Sequence, residues 1–165
     1  MSSPAQPPVD YIERTTEKYT ALGFGAYGWV HSEEAPPFQR LEKPLSQCRV
    51  GLIASGGIYA AGQIAFHYKD DLSYRRIDRD TPNEALRTTH FAYDLTDSRK
   101  DPGVVFPLAA LRSLADAGEI GEVAPQGLTF MGGIYSARRV RETLAPALAE
   151  EMQQQEVDLA LLVPV

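Results

Sequence analysis

The chain has 165 residues and a formal charge of −6, with 16 Lys and Arg against 22 Asp and Glu. That length suits a domain able to bury roughly 70% of its unfolded surface, and the acidic balance argues against a nucleic-acid partner, which needs a basic face. One cysteine excludes an intrachain disulfide and a cysteine-built zinc site, and 44% apolar residues exclude global disorder.

Residues 1–8, with three prolines and two serines, predict a disordered tail. They lack the basic and apolar regions of a signal peptide, and no apolar run approaches the roughly 18 residues of a membrane span. The expectation is a soluble cytoplasmic protein without a membrane partner, with residues 9–165 forming one α/β domain. Asp10 to Leu22 reads as a helix, with Ile12, Tyr19 and Leu22 near one face and Gly23 as its stop. Gly23 to Pro44 is rich in Gly, Pro and aromatics, and reads as an irregular arm packed by Phe24, Tyr27, Trp29 and Phe38.

Arg49 to Ala54 is an apolar run closed by Ser55-Gly56-Gly57, the pattern of a fully buried parallel strand. Ser73 to Ile77 reads as a short strand, and His90 to Asp94 as another or as a helical turn. Pro107 to Ala117 predicts a helix with Pro107 at its first position, Leu108, Leu111, Leu114 and Ala115 as the buried stripe, and Gly118 at its end. Leu128 to Met131 is the next strand, closed by Gly132-Gly133. Ser136 caps a following helix in which Val140, Leu144, Leu148 and Met152 recur every four residues, and Pro146 predicts a kink or split there. Asp158 to Val163 reads as a last, buried strand. Strands alternating with helices give an α/β fold with three layers and a mostly parallel sheet, Rossmann-like or flavodoxin-like, carrying an irregular N-terminal arm.

Ligand sites in open α/β sheets lie beyond the carboxyl ends of the strands. The pocket candidates are therefore Ser55, Gly56 and Gly57; Met131, Gly132 and Gly133; and Pro164 with Val165. Two readings of the glycine pairs stand: free N–H groups holding an anion, or plain turns into the next element. His90 and Asp94 complete the candidate set, since on a helix their spacing lets them pair or bind a metal; a structural, hydrogen-bonded histidine is the competing reading. With His31 and His67 distant in sequence no metal spacing is complete, and no metal is expected. Asp70, Asp71, Arg75 and Arg76 read as a charged loop of local pairs. Cys48 precedes the first strand, the wrong end of the sheet for a site, and no complete catalytic set is visible.

Arg49 to Tyr59, Asp71-Leu72-Ser73-Tyr74-Arg75, Asp80-Thr81-Pro82, His90-Phe91-Ala92-Tyr93-Asp94, Val105-Phe106-Pro107-Leu108, Gly118-Glu119-Ile120-Gly121, Phe130-Met131-Gly132 and Val157 to Val165, in this order, carry a resemblance. The chain resembles the selenoprotein B family of glycine, sarcosine, betaine and D-proline reductases, in its short single-domain form. In that family the strand matching Val157 to Val165 runs into a motif opened by selenocysteine or cysteine, with a cysteine three residues later. The resemblance therefore implies a selenol- or thiol-dependent reductase whose redox residue stands immediately after Val165, with a closing helix beyond it. It implies no catalytic residue within 1–165 and no cofactor other than that selenocysteine. The partners it implies are a small-molecule substrate and a thiol electron donor or reductase-complex subunit. An apolar strand without its closing helix further predicts self-association near Val157 to Val165. The competing expectations are a non-catalytic small-ligand module and a structural subunit of a reductase complex.

Overall fold

The computed structural model describes residues 10–26, 28 and 31–165; the expected tail at 1–8 and the arm residues Tyr27 and Trp29 lie outside the described residues. The chain divides into two units, at Pro37 and Phe38. In the first, helix α1 spans Tyr11–Ala21, and the Asp10 carboxylate accepts the Glu13 N–H at 3.0 Å as its cap. Gly23, at φ +82°, ends it: its N–H goes to Thr20 O, the Phe24 N–H goes to Tyr19 O, and the two rings meet at 5.9 Å. No side chain of α1 is buried, so the expected apolar face at Ile12, Tyr19 and Leu22 is exposed.

The second unit holds the sheet. Its elements are β1 (Arg49–Ala54), β2 (Ile58–Ala60), β3 (Tyr74–Asp78), β4 (Leu86–Thr88), α2 (Thr96–Lys100), α3 (Leu108–Asp116), β5 (Glu122–Val123), β6 (Gln126–Phe130), α4 (Ala137–Arg139), α5 (Ala145–Gln154) and β7 (Leu159–Val163). A π turn, Val140–Leu144, joins α4 to α5. β1 is the hub. Along one edge it pairs in parallel with β7, from Val50 opposite Leu159 to Ala54 opposite Val163. Along its other edge it pairs in parallel with β5 at its amino end and β6 at its carboxyl end. β3 is antiparallel to β6, and β2 with β4 makes a separate antiparallel ribbon. The result is an open, mostly parallel α/β sheet between helices, as the sequence predicts.

Alternation along β1 builds the layers. Val50, Leu52 and Ala54 face one cluster with Ile77, Phe106, Leu108 and Leu111, under α3. Ile53 faces the other, with Leu128, Leu144, Leu148 and Met152, under α5. Gly51 lies on that second face, where a Cβ would stand 2.5 Å from the Met152 sulfur. Pro107 sits at the N-cap of α3 rather than at its first helical position, and Leu114 of the expected stripe is 42% exposed. Pro146 does not split the helix. The wide turn before it closes with an Ala145 N–H to Val140 O bond, taking up the register that a proline without an N–H disturbs.

Two further expectations fail. β7 is not a buried strand: Leu159 to Leu162 are all exposed, because among the described residues it pairs with β1 alone. Phe38 does not pack an aromatic arm, being 87% exposed.

Candidate functional site

The carboxyl ends of β1, β6 and β7 meet at Ser55. Its N–H donates to Val163 O at 3.1 Å, its carbonyl accepts the Gly132 N–H at 2.9 Å, and its hydroxyl accepts the Val165 N–H at 2.9 Å. One serine thus joins the exits of three neighbouring strands. Gly56 bridges Met131, and the Thr129 hydroxyl on β6 accepts the Ile58 N–H at 3.2 Å from inside the core. Ser55, Gly56, Gly57, Met131, Gly132, Gly133, Pro164 and Val165 therefore form one neighbourhood, as their positions after three strands predict.

The glycine pairs are chiefly devices of packing. Gly57 stands at φ +69°, and a Cβ there would lie 1.9 Å from Thr89 O. A Cβ on Gly133 would lie 2.2 Å from the Phe91 ring. The N–H groups of Gly57 and Gly132 are already given to Phe130 O and Ser55 O, so those two amides are not free for an anion.

His90 folds over this neighbourhood but not beside Asp94. Residues 91–93 form a bend, not the helix or strand that would fix their spacing. The Asp94 carboxylate turns instead to Thr96, accepting its N–H at 2.9 Å and its hydroxyl at 2.7 Å. Those bonds, the hydroxyl's first, hold the Asp94 carboxyl below the usual range. Nδ1 of His90 accepts the Ala92 N–H at 3.0 Å. In the neutral ring the proton therefore sits on Nε2, which is buried and without a hydrogen-bond partner. Burial pushes the His90 pKa down, and the nearby Ser55 carbonyl opposes that only in part. Tyr93, against which His90 packs at 4.7 Å, donates its hydroxyl to Gly56 O at 2.9 Å; burial pushes its pKa up. Tyr93 belongs to the His-Phe-Ala-Tyr-Asp run but carries no signal of this role, since nothing in the spacing ties it to Gly56.

Beside Ser55 lies a groove of about 530 Å³ between β7 and the helical segment from Val140 to Met152. Ile53, Phe130, Leu144, Leu148 and Leu162 line it, and Ser55 and Pro164 stand at the strand ends. Sequence reasoning expects an apolar strand bare of its closing helix here but does not place the groove, whose other wall is the helical segment from Val140 to Met152.

The amino end of the same strands is charged and internally paired. Arg49 donates from Nε to Glu122 at 2.9 Å and from Nη1 to Gln155 O at 2.7 Å and Glu156 at 3.1 Å. Asp158 accepts the Arg49 N–H at 2.7 Å and pairs with Lys43, also at 2.7 Å. Arg49 holds the Glu122 carboxyl below its usual range, and Lys43 does the same for Asp158. Cys48 lies at this end, fully buried, with its thiol 3.4 Å from Pro44 O. Asp71 pairs locally, with His67 and Ser73, whereas Arg76 reaches across to Glu151 on α5 and Arg75 stacks 4.4 Å over Phe66. Among the described residues no three His, Cys, Asp or Glu side chains could hold a metal, and no helix is long and apolar enough to cross a membrane.

Comparison with known proteins agrees with the sequence resemblance. The model of the glycine/sarcosine/betaine reductase selenoprotein B family matches residues 27–164. The chain is 30% identical over 127 residues to D-proline reductase subunit gamma of Acetoanaerobium sticklandii, covering 77% of this chain and 52% of that protein. It is 28% identical over 143 residues to glycine reductase complex component B subunit gamma of Symbiobacterium thermophilum, covering 77% of this chain and 32% of that protein. The chain thus spans about half the length of the first relative and about a third of the second. No solved structure matches.

Proposed function

We propose, from the premise that this chain belongs to the glycine/sarcosine/betaine reductase selenoprotein B family, that it forms the pocket of a selenol- or thiol-dependent reductase. The observation that carries this reading is the meeting of three strand ends on Ser55. In this reading the redox residue, selenocysteine or cysteine, follows directly on Val165, at the mouth of the groove. The selenocysteine would supply a soft nucleophile, largely ionised at neutral pH, which a neighbouring thiol returns to its starting state by exchange.

The chain's own residues then have definite tasks. The Ser55 hydroxyl holds the Val165 amide and so fixes the direction in which the strand leaves β7. Tyr93 and His90 press the Gly56 loop against the sheet, and the buried Nε2–H of His90 keeps a donor beside Ser55 at neutral pH. The apolar groove walls exclude water from a reacting group at the strand exit.

The relatives are named as subunits, one of a D-proline reductase and one of a glycine reductase complex, which supports a partner subunit or a thiol electron donor for this chain as well. A small-molecule substrate, a cytoplasmic setting and self-association along exposed β7 complete the proposal. A second reading, a ligand-binding module without chemistry, is favoured by one observation: the single thiol, Cys48, is fully buried at the opposite end of the sheet.

The test begins with the codon after Val165 in the natural gene. UGA followed by an open frame, or a cysteine codon, is expected; UAA, UAG, or UGA with no frame behind it overturns the reductase reading. The protein made with that extension should lose one thiol or selenol rapidly to iodoacetamide at pH 6. The chain of residues 1–165 should show only the slow reaction of buried Cys48.

A further inference from the structure

We propose that the groove beside β7 seats a helix of this same chain, the crossover that leaves β7 at Val165, and that the strand after it pairs in parallel along the free edge of β7. This deepens the reductase reading, and rests on it for a chain that runs on past Val165. β7 has β1 along one edge and, among the described residues, no strand along the other. Both relatives are longer, the match covering 52% of one and 32% of the other.

Handedness fixes the face. From β6 the chain crosses β1 to reach β7, and α5, which carries it there, lies on the Ile53 face of the sheet. Crossovers between parallel strands are right-handed almost without exception. A strand added outside β7 prolongs the same direction of travel, so its helix belongs on the same face. Ala160 and Leu162 stand opposite Gly51 and Ile53 in register and share that face. They floor the groove, and α5 is one wall of it. The crossover helix takes the place of the missing wall, with its axis about 8–10 Å from that of α5. The lining suits an apolar helix stripe: no side chain in it is ionisable, and the Ser55 hydroxyl is the one polar side-chain group. Leu162 is 65% exposed, and Ala145 and Ala149, one turn apart on the exposed side of α5, let a second helix pack close. The self-association proposed above then belongs to a chain whose β7 is bare.

The experiment compares the 165-residue chain with the natural chain read on past Val165, each carrying Leu162→Cys, and with any cysteine or selenocysteine after Val165 changed to serine. Maleimide labelling at position 162 should be roughly tenfold or more slower in the longer chain. Ala149→Trp and Ala145→Phe fill the space the helix needs; they should restore fast labelling in the longer chain and leave the melting temperature of the 165-residue chain unchanged. Equal labelling of the two chains overturns the proposal, as does slowing that both groove-filling variants leave intact. Slowing at a thiol placed by Leu161→Cys, with none at position 162, puts the helix on the other face and overturns it too. So does slowing that fades when the longer chain is diluted, since a second copy then covers the groove. Saturable binding of the neutral probe N-phenyl-1-naphthylamine, equal in the two chains, overturns it as well, since the groove is then still open to a small molecule. A natural gene that ends at Val165 overturns both readings, which otherwise fail separately. Fast labelling at position 162, in a longer chain whose own thiol or selenol reacts rapidly with iodoacetamide, overturns only this one. Slow labelling in a longer chain without that reactive group overturns only the reductase reading.

Discussion

The two ends of one sheet are built on opposite terms. At the amino end Arg49, Glu122, Glu156, Lys43 and Asp158 are paired with one another, and among the described residues the one buried side-chain group there without a partner is Gln155 Nε2. At the carboxyl end charge is absent from the groove wall, three chain exits share Ser55, and a buried imidazole keeps an unpartnered N–H. The same strands β1 and β7 run through both. Paired charges on this rim satisfy one another and hold register. Among the described residues each end holds one buried side-chain donor without a partner, Gln155 Nε2 at one and His90 Nε2 at the other. The contrast sets a rim of paired charges against the apolar end at which the proposed pocket lies.

The contrast can be tested by substitution, and the carboxyl end should respond most. Gly57→Ala forces a Cβ onto Thr89 O at a positive φ, and chemical denaturation should show a loss of about 3 kcal/mol or more. A stable, native-like Gly57→Ala protein would break the account of that loop. Tyr93→Phe leaves the buried Gly56 carbonyl without its 2.9 Å donor, and should lose about 1–2 kcal/mol in the same measurement.

Acid should separate the buried imidazole from the paired carboxylates by pH. Burial depresses the His90 pKa in the folded protein, so the unfolded chain binds the proton first. Stability should therefore begin to fall as pH drops below about 6.5, the ordinary histidine value. The Glu122 and Asp158 pKa values are also depressed, by Arg49 and Lys43, so their contribution is present above about pH 4 and lost only as pH falls through the folded values. His90→Phe should abolish the upper step and leave the lower one. Two steps that both survive in His90→Phe would contradict the assignment. Arg49→Met should have the smallest effect at neutral pH, a loss that shrinks with added salt, because Arg49 and Glu122 are solvent-screened. A large, salt-independent loss would show the amino end to be more than a rim of ion pairs.

Much of the frame is legible in the sequence because it rests on long or punctuated patterns. β1, β6 and β7 are apolar runs that end in glycine or proline, and α3 and α5 carry the helical period. β2, β4 and β5 are two or three residues long, too short for any period, and exist only through their partners. β7 illustrates the limit of composition: Leu159 to Val163 is apolar enough to be core, but exposure depends on which elements lie beside it. The loops after β1, β6 and β7 meet at Ser55, a proximity that follows from counting strand ends, whereas Asp94 turns to Thr96. Their roles were not legible. Asp94 was drawn from His90 by the short-range bonds to Thr96, and the open valence of His90 depends on the Ala92 amide two residues on. The groove needed the π turn, of which Pro146 signals only that the helix is disturbed.

The proposal that the carboxyl end of the sheet forms the pocket is tested most directly by backbone amide shifts of the 15N-labelled chain during titration with the neutral probe N-phenyl-1-naphthylamine. The account predicts saturable shifts at Ser55, Phe130, Leu144, Leu148 and Leu162, with Arg49, Glu122 and Asp158 unmoved. Shifts confined to Arg49, Glu122 and Asp158, with Ser55 and Leu162 silent, would contradict it.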